Sequence, residues 1–148
     1  RMLASVSYTQ DTALLDAIGF SIQKIKNVQN RSSEGFQPEK VIFVIITDGM
    51  ENASREYSLE QIKSLIEEQK NKYNWDFIFM GANIDAIQTA GQFGINANRA
   101  VNYVPDSHGT HLNFMSMHQA VSNFRKYGKV SDSDLDEIRK DHDKRRKN

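Results

Sequence analysis

The sequence predicts an α/β fold, a Rossmann-like open and mostly parallel sheet with helices on both faces. Three observations carry this. Residues 41–46, VIFVII, form a short apolar run rich in β-branched side chains, the pattern of a strand covered on both faces. A second short apolar run follows at 77–80, and a third strand reads at 100–104. Stretches with helical spacing alternate with these runs, as they do in open α/β sheets.

The elements follow in order. Residues 2–8 alternate Met2, Ala4, Val6 and Tyr8 with Leu3, Ser5 and Ser7, the period of a half-buried strand. Leu14, Ile18, Ile22 and Ile25 form an apolar stripe on a helix that starts near Asp11 or Thr12. Residues 27–39, with Ser32, Ser33, Gly35 and Pro38, read as the loop into the 41–47 strand. Ser58 and Gln61 fit a capping box ahead of Leu59, Ile62, Leu65 and Ile66. Trp75 and Tyr73 lead into the strand at 77–80, which Gly81 closes. Asn83 or Asp85 caps a short helix ending at Gln92-Phe93-Gly94. The strand at 100–104 stops at Pro105, which cannot donate to a ladder. Asp106-Ser107-His108-Gly109 reads as a turn, with Thr110 capping a helix through Tyr127 whose Phe114, Met117, Val121 and Phe124 form a core stripe. Residues 1–127 are thus assigned to the α/β domain. Residues 128–148 read as a charged, protruding helix, acidic at Asp132 and Asp134 and basic at Lys144-Arg145-Arg146-Lys147, with only Leu135 and Ile138 able to pack.

A chain of 148 residues with 39% hydrophobic content can build one core. Its nineteen basic and nineteen acidic residues cancel, which argues against nucleic acid and anionic membrane as partners. There is no cysteine, so disulfides and thiolate metal sites are excluded. The sequence has no membrane-length apolar run and no signal-peptide pattern, and the expectation is a soluble, cytoplasmic domain. It offers no nucleophile–base pair and no phosphate-cradling glycine loop, so the expectation is binding rather than catalysis. His108, His111 and His118 match no strong zinc spacing and read as solvent-exposed.

Asp48 ends the first apolar run, where ligands gather in parallel sheets, and Gly49 behind it suits a sharp turn. A carboxylate there suits a hard cation such as magnesium, and the Thr12 hydroxyl is a candidate companion. Thr12-Ala13-Leu14-Leu15-Asp16-Ala17-Ile18 followed by Ile46-Thr47-Asp48-Gly49-Met50-Glu51-Asn52 resembles the von Willebrand factor type A family, most closely its small bacterial and phage-associated members. The resemblance covers about residues 8–127.

It implies a metal-ion-dependent adhesion site at the upper sheet edge, in which Thr12 and Asp48 join an Asp-x-Ser-x-Ser motif and the ion bridges to an acidic residue of a protein partner. No Asp-x-Ser-x-Ser occurs in this chain. The expectation is therefore a domain incomplete on its N-terminal side, holding magnesium or manganese weakly or not at all by itself. Asp11 is a further candidate oxygen ligand, whereas Asn52 and Ser54 are expected to order the loop. The 41–47 strand would lack a neighbour, with residues 2–8 of this chain or another copy covering the gap and a homo-oligomer through that edge. The readings kept beside it are a metal-independent scaffold module and a Rossmann-like nucleotide-binding enzyme.

Overall fold

The computed structural model describes residues 2–8, 13–31, 41–49 and 56–146. Four strands, β1 (Met2–Tyr8), β2 (Val41–Thr47), β3 (Asp76–Gly81) and β4 (Ala100–Asn102), form one sheet in the order β1-β2-β3-β4. Every neighbouring pair is parallel. The strands read at 41–47, 77–80 and 100–104 are therefore neighbours in sequence order, the last ending earlier than read, at Asn102. Residues 2–8 pair along the whole of β2, from Met2 opposite Val41 to Tyr8 opposite Thr47, so the edge expected to be bare is covered by the chain itself.

Between the strands lie α1 (Leu14–Arg31), α2 (Leu59–Tyr73) and α3 (Ala86–Gln92). The sheet order never reverses, so three right-handed crossovers place all three helices on one face. The side-chain period of two then splits β2 between two cores. Val41, Phe43 and Ile45 pack with Leu14, Ile18 and Ile22 of α1, Ile62 and Ile66 of α2, and Ala86 and Ala90 of α3. Ile42 and Val44 face the other way, toward Ala120, Phe124, Leu135 and Ile138.

That second face has to be covered by whatever follows β4. It is covered by α4 (Ser107–Tyr127), a 3-10 turn at Asp132–Leu135, and α5 (Asp136–Arg146). The tail therefore does not protrude as its charge suggests. Leu135 and Ile138 are buried, and polar links fasten the rest. Arg139 donates to the carbonyls of Asn98 (2.8 Å) and Asp132 (3.0 Å), Arg99 to the Asp132 carboxylate and the Val130 carbonyl, and Asn123 to Asp134 (2.6 Å). Alternation of charge along a helix shows what is solvated only when no long-range partner exists, and here each end finds one.

Two helix boundaries and one core residue differ from the sequence reading. Helix α1 runs on to Arg31, through residues expected to form a loop. Nothing between Asn27 and Arg31 breaks a helix, and one turn earlier Lys26 pairs with Glu68 of α2 at 3.3 Å. Helix α4 begins at Ser107, capped by Asp106, whose carboxylate accepts from the Gly109 amide at 2.8 Å, so the expected turn is already the first helical turn. Phe114 is not core: it is 72% exposed, while Asn113, Ser116, Ala120 and Phe124 face the sheet. Small side chains there allow the helix to sit close to the strands.

The capping box of α2 forms as read. The Gln61 amide donates to the Ser58 hydroxyl (3.2 Å), and the Ser58 amide to the Gln61 side chain (2.8 Å). Ser58→Ala should cost about 1 kcal/mol in a urea melt. A loss below about 0.3 kcal/mol would mean that the box contributes nothing measurable.

Candidate functional site

The carboxyl ends of β2, β3 and β4 meet at one sheet edge. Asp48 and Gly49 follow β2, residues 82–85 follow β3, and Tyr103 to Asp106 follow β4. Backbone bonds carry the ladder one step past the strands, from the Ala82 amide to the Thr47 carbonyl (2.9 Å) and from the Tyr103 amide to the Gly81 carbonyl (3.0 Å). The loops are thereby held level with one another.

Asp48 is partly buried, and its Oδ1 is buried with no hydrogen-bond partner among the described residues. Buried carboxylate oxygens are nearly always satisfied, so such an atom needs an explanation, and an absent ion or ligand is one. Around it the turn is tied locally. The Thr47 hydroxyl donates to the Gly49 carbonyl at 2.5 Å and accepts from the Gly49 amide at 3.3 Å. Asn83, in the left-handed region at φ 60°, donates its side-chain amide to the Asp48 carbonyl at 3.2 Å. Gly49 itself has open space where a Cβ would stand and no left-handed φ, so the turn does not require glycine as its position suggested.

Past Asn83, which bonds the Asp48 carbonyl, lies a cleft of about 640 Å³ lined by Gly81, Asn83, Asn102 and Tyr103 among others; Asp48 itself does not line it. Asn102 is committed to structure, accepting from the Ala86 amide at the start of α3 (2.9 Å). The Tyr103 hydroxyl is held above the usual phenol range, first by burial and second by the negative charge of Asp48. The far wall is the last part of α5, His142, Arg145 and Arg146. Arg145 reaches Asp106 and Asp141, and His108 approaches Asp141 at 3.5 Å. Hydrogen bonds to Asp141 first and Asp106 second raise the Arg145 guanidinium above its usual range. The Asp106 carboxyl is lowered, by the Arg145 hydrogen bond first and the Gly109 amide second.

Of the two metal ligands read from the sequence, Asp48 stands at the carboxyl edge with its Oδ1 lacking a hydrogen-bond partner among the described residues, while Thr12 lies outside the described residues, as do Asp11, Asn52 and Ser54. Asp16, in the same motif as Thr12, accepts from the Glu56 and Tyr57 amides, both at 2.9 Å, and so anchors the approach to α2. His108, His111 and His118 are exposed, and no three His, Cys, Asp or Glu side chains group as metal ligands among the described residues. Sequence reasoning passed over Tyr103 and treated Asn83 only as a helix cap. The signal available was position alone, since each stands just beyond the end of a strand.

No described helix is long and apolar enough to cross a membrane. The chain matches no protein-family model, no curated protein and no solved structure.

Proposed function

We propose that the chain is a von Willebrand factor A-like module, without the Asp-x-Ser-x-Ser motif, that binds a protein partner at the carboxyl edge of its sheet. The observation that carries this is the Oδ1 of Asp48 just past β2, buried with no hydrogen-bond partner among the described residues, near a cleft of about 640 Å³ that Asn83 lines. The parallel order of β2, β3 and β4 supports the fold the reading needs.

Asp48 fits the part of one metal ligand, and Thr12 is the second candidate by sequence. A bound magnesium or manganese would offer an open position to a partner's carboxylate. The chain's own residues do the rest. Asn83 and Thr47 fix the Asp48 turn, and Tyr103 presents a protonated hydroxyl nearby, held so by burial and by the Asp48 charge.

One carboxylate and one hydroxyl make a poor site for magnesium, which gives up its waters reluctantly. Calorimetric titration of the 148-residue chain with magnesium or manganese should show affinity of about millimolar at best, on the logic of ligand charge count. Fusion of an upstream segment bearing Asp-x-Ser-x-Ser should tighten binding strongly, and Asp48→Ala in that fusion should abolish it. Binding in the range of about 1 μM by the chain alone would overturn the incomplete site and point to Asp11 as a further ligand. A fusion that binds equally well with Asp48→Ala would remove the metal reading altogether.

A further inference from the structure

We infer that the last two turns of α5, residues 140–146, are a gate over the carboxyl-edge cleft, latched by the ion pair of Arg145 with Asp106. The gate governs access to the edge at which a partner is proposed to dock. It rests on that reading only for what is admitted.

The tail is held in two different ways along its length. Its first part is a packed element. Leu135 and Ile138 are buried in the second core, and Arg139 donates to the carbonyls of Asn98 and Asp132. Beyond Arg139 no described residue of α5 is buried. Residues 140–146 therefore gain little from apolar burial, and polar contacts decide where they lie. The pairs of Lys140 with Glu137 and of His142 with Asp143 lie within α5 and fasten it to nothing else. His108 of α4 approaches Asp141 at 3.5 Å, an ion pair only when the imidazole is protonated. Among the described residues, Arg145 to Asp106 is then the one side-chain link from these turns to the body that needs no such protonation.

The link is built like a latch. Arg145 donates from Nε and Nη2 to Asp141, both at 2.9 Å, which aims its remaining nitrogen at Asp106. Asp106 is fixed in turn, because its other oxygen accepts from the Gly109 amide at 2.8 Å to cap α4. Yet the two side chains are 30% and 47% exposed, so water and salt weaken their attraction. A contact this exposed opens far more often than the whole fold does. His142, Arg145 and Arg146 form one wall of the cleft, so they move off together and uncover Tyr103 and Val104.

The chain has no cysteine, so one introduced thiol reports the gate without a partner or a metal. Val104→Cys places it in the cleft, at a half-buried position. Its alkylation by N-ethylmaleimide, an uncharged reagent, should be slower than that of an unfolded control peptide. Arg145→Gln in that background should speed it at least about threefold, the worth of an exposed ion pair. Lys144→Gln removes the same charge from an exposed position outside the cleft and should leave the rate unchanged. Raising salt from about 0.05 to about 0.5 M should speed labelling of the parent but not of Arg145→Gln. In hydrogen exchange, Arg145→Gln should expose the amides of residues 142–146 and leave the sheet as protected as before. Equal rates with and without Arg145 would overturn the gate, as would equal acceleration by Lys144→Gln. Faster exchange throughout the sheet would overturn it too, because the variant would then be unstable rather than unlatched. None of these readouts involves an ion at Asp48 or a docked partner, so the gate can fail while that function stands, and the reverse.

Discussion

Gly109→Ala should destabilise the protein by at least about 3 kcal/mol, the upper end of what overpacking usually costs. A Cβ on Gly109 would stand 1.8 Å from the carbonyl oxygen of Val104 and 2.8 Å from its carbonyl carbon. Both are backbone atoms, and the oxygen is already held by the Asp106 amide at 2.9 Å, so no flexible side chain can yield. The first turn of α4 has to lift off the end of β4. That turn carries the Asp106 cap and its link to Arg145, so the α5 wall of the cleft should loosen with it.

Gly91→Ala is the matched control. It also lies in a helix, but nothing stands within 4 Å of the added carbon, and a gain of about 0.5–1 kcal/mol is expected from backbone entropy. Thermal and urea melts of the two variants decide the matter. A Gly109→Ala protein as stable as its parent would mean that α4 does not cross the backbone of Val104 as closely as described.

The same close approach explains why the start of α4 was illegible in the sequence. Asp106 and Thr110 are both good caps, and Gly109 between them reads as a turn residue. What separates them is a contact between Gly109 and Val104, which no periodicity reports. By contrast β2 and β3 were readable because a strand buried on both faces is apolar through its middle, and the order of the strands followed from the handedness of crossovers. The capping box of α2 was readable because both its bonds lie within four residues.

The tail was misread for the opposite reason. Its anchors join residues 39 and 41 positions apart, Arg145 to Asp106 and Arg139 to Asn98, and on paper those arginines look solvated. The site divides along the same line. Asp48 was legible from the abrupt end of an apolar run, whereas its neighbours Asn83 and Tyr103 are brought to it only by the parallel register of three strands.

Phe43→Ala should be the most damaging substitution in the first core, costing about 3–5 kcal/mol in a urea melt. Phe43 is fully buried at the middle of β2, with its ring 5.4 Å from Phe77 and 6.3 Å from Trp75, and those two lie 6.0 Å apart. Removing the ring leaves a void against two large aromatics at the start of β3, Trp75 just before it and Phe77 within it. Neither can collapse into it without leaving its own contacts, so both the transfer loss and the cavity loss apply. For a chain of this size the midpoint of thermal unfolding should fall by roughly 10 °C.

Phe20→Ala provides the contrast. That ring is 55% exposed and makes one edge-on contact with Tyr57 at 5.4 Å, so the cost should stay near 0.5–1 kcal/mol, the worth of an aromatic pair. Because β2 leads directly into Asp48, softening its middle should blunt whatever the carboxyl edge binds, and the loss should track the unfolded fraction. If Phe43→Ala cost less than about 1 kcal/mol, the aromatic trio would not be the centre of this face. The position of Asp48 would then rest on the ladder bonds of β2 alone.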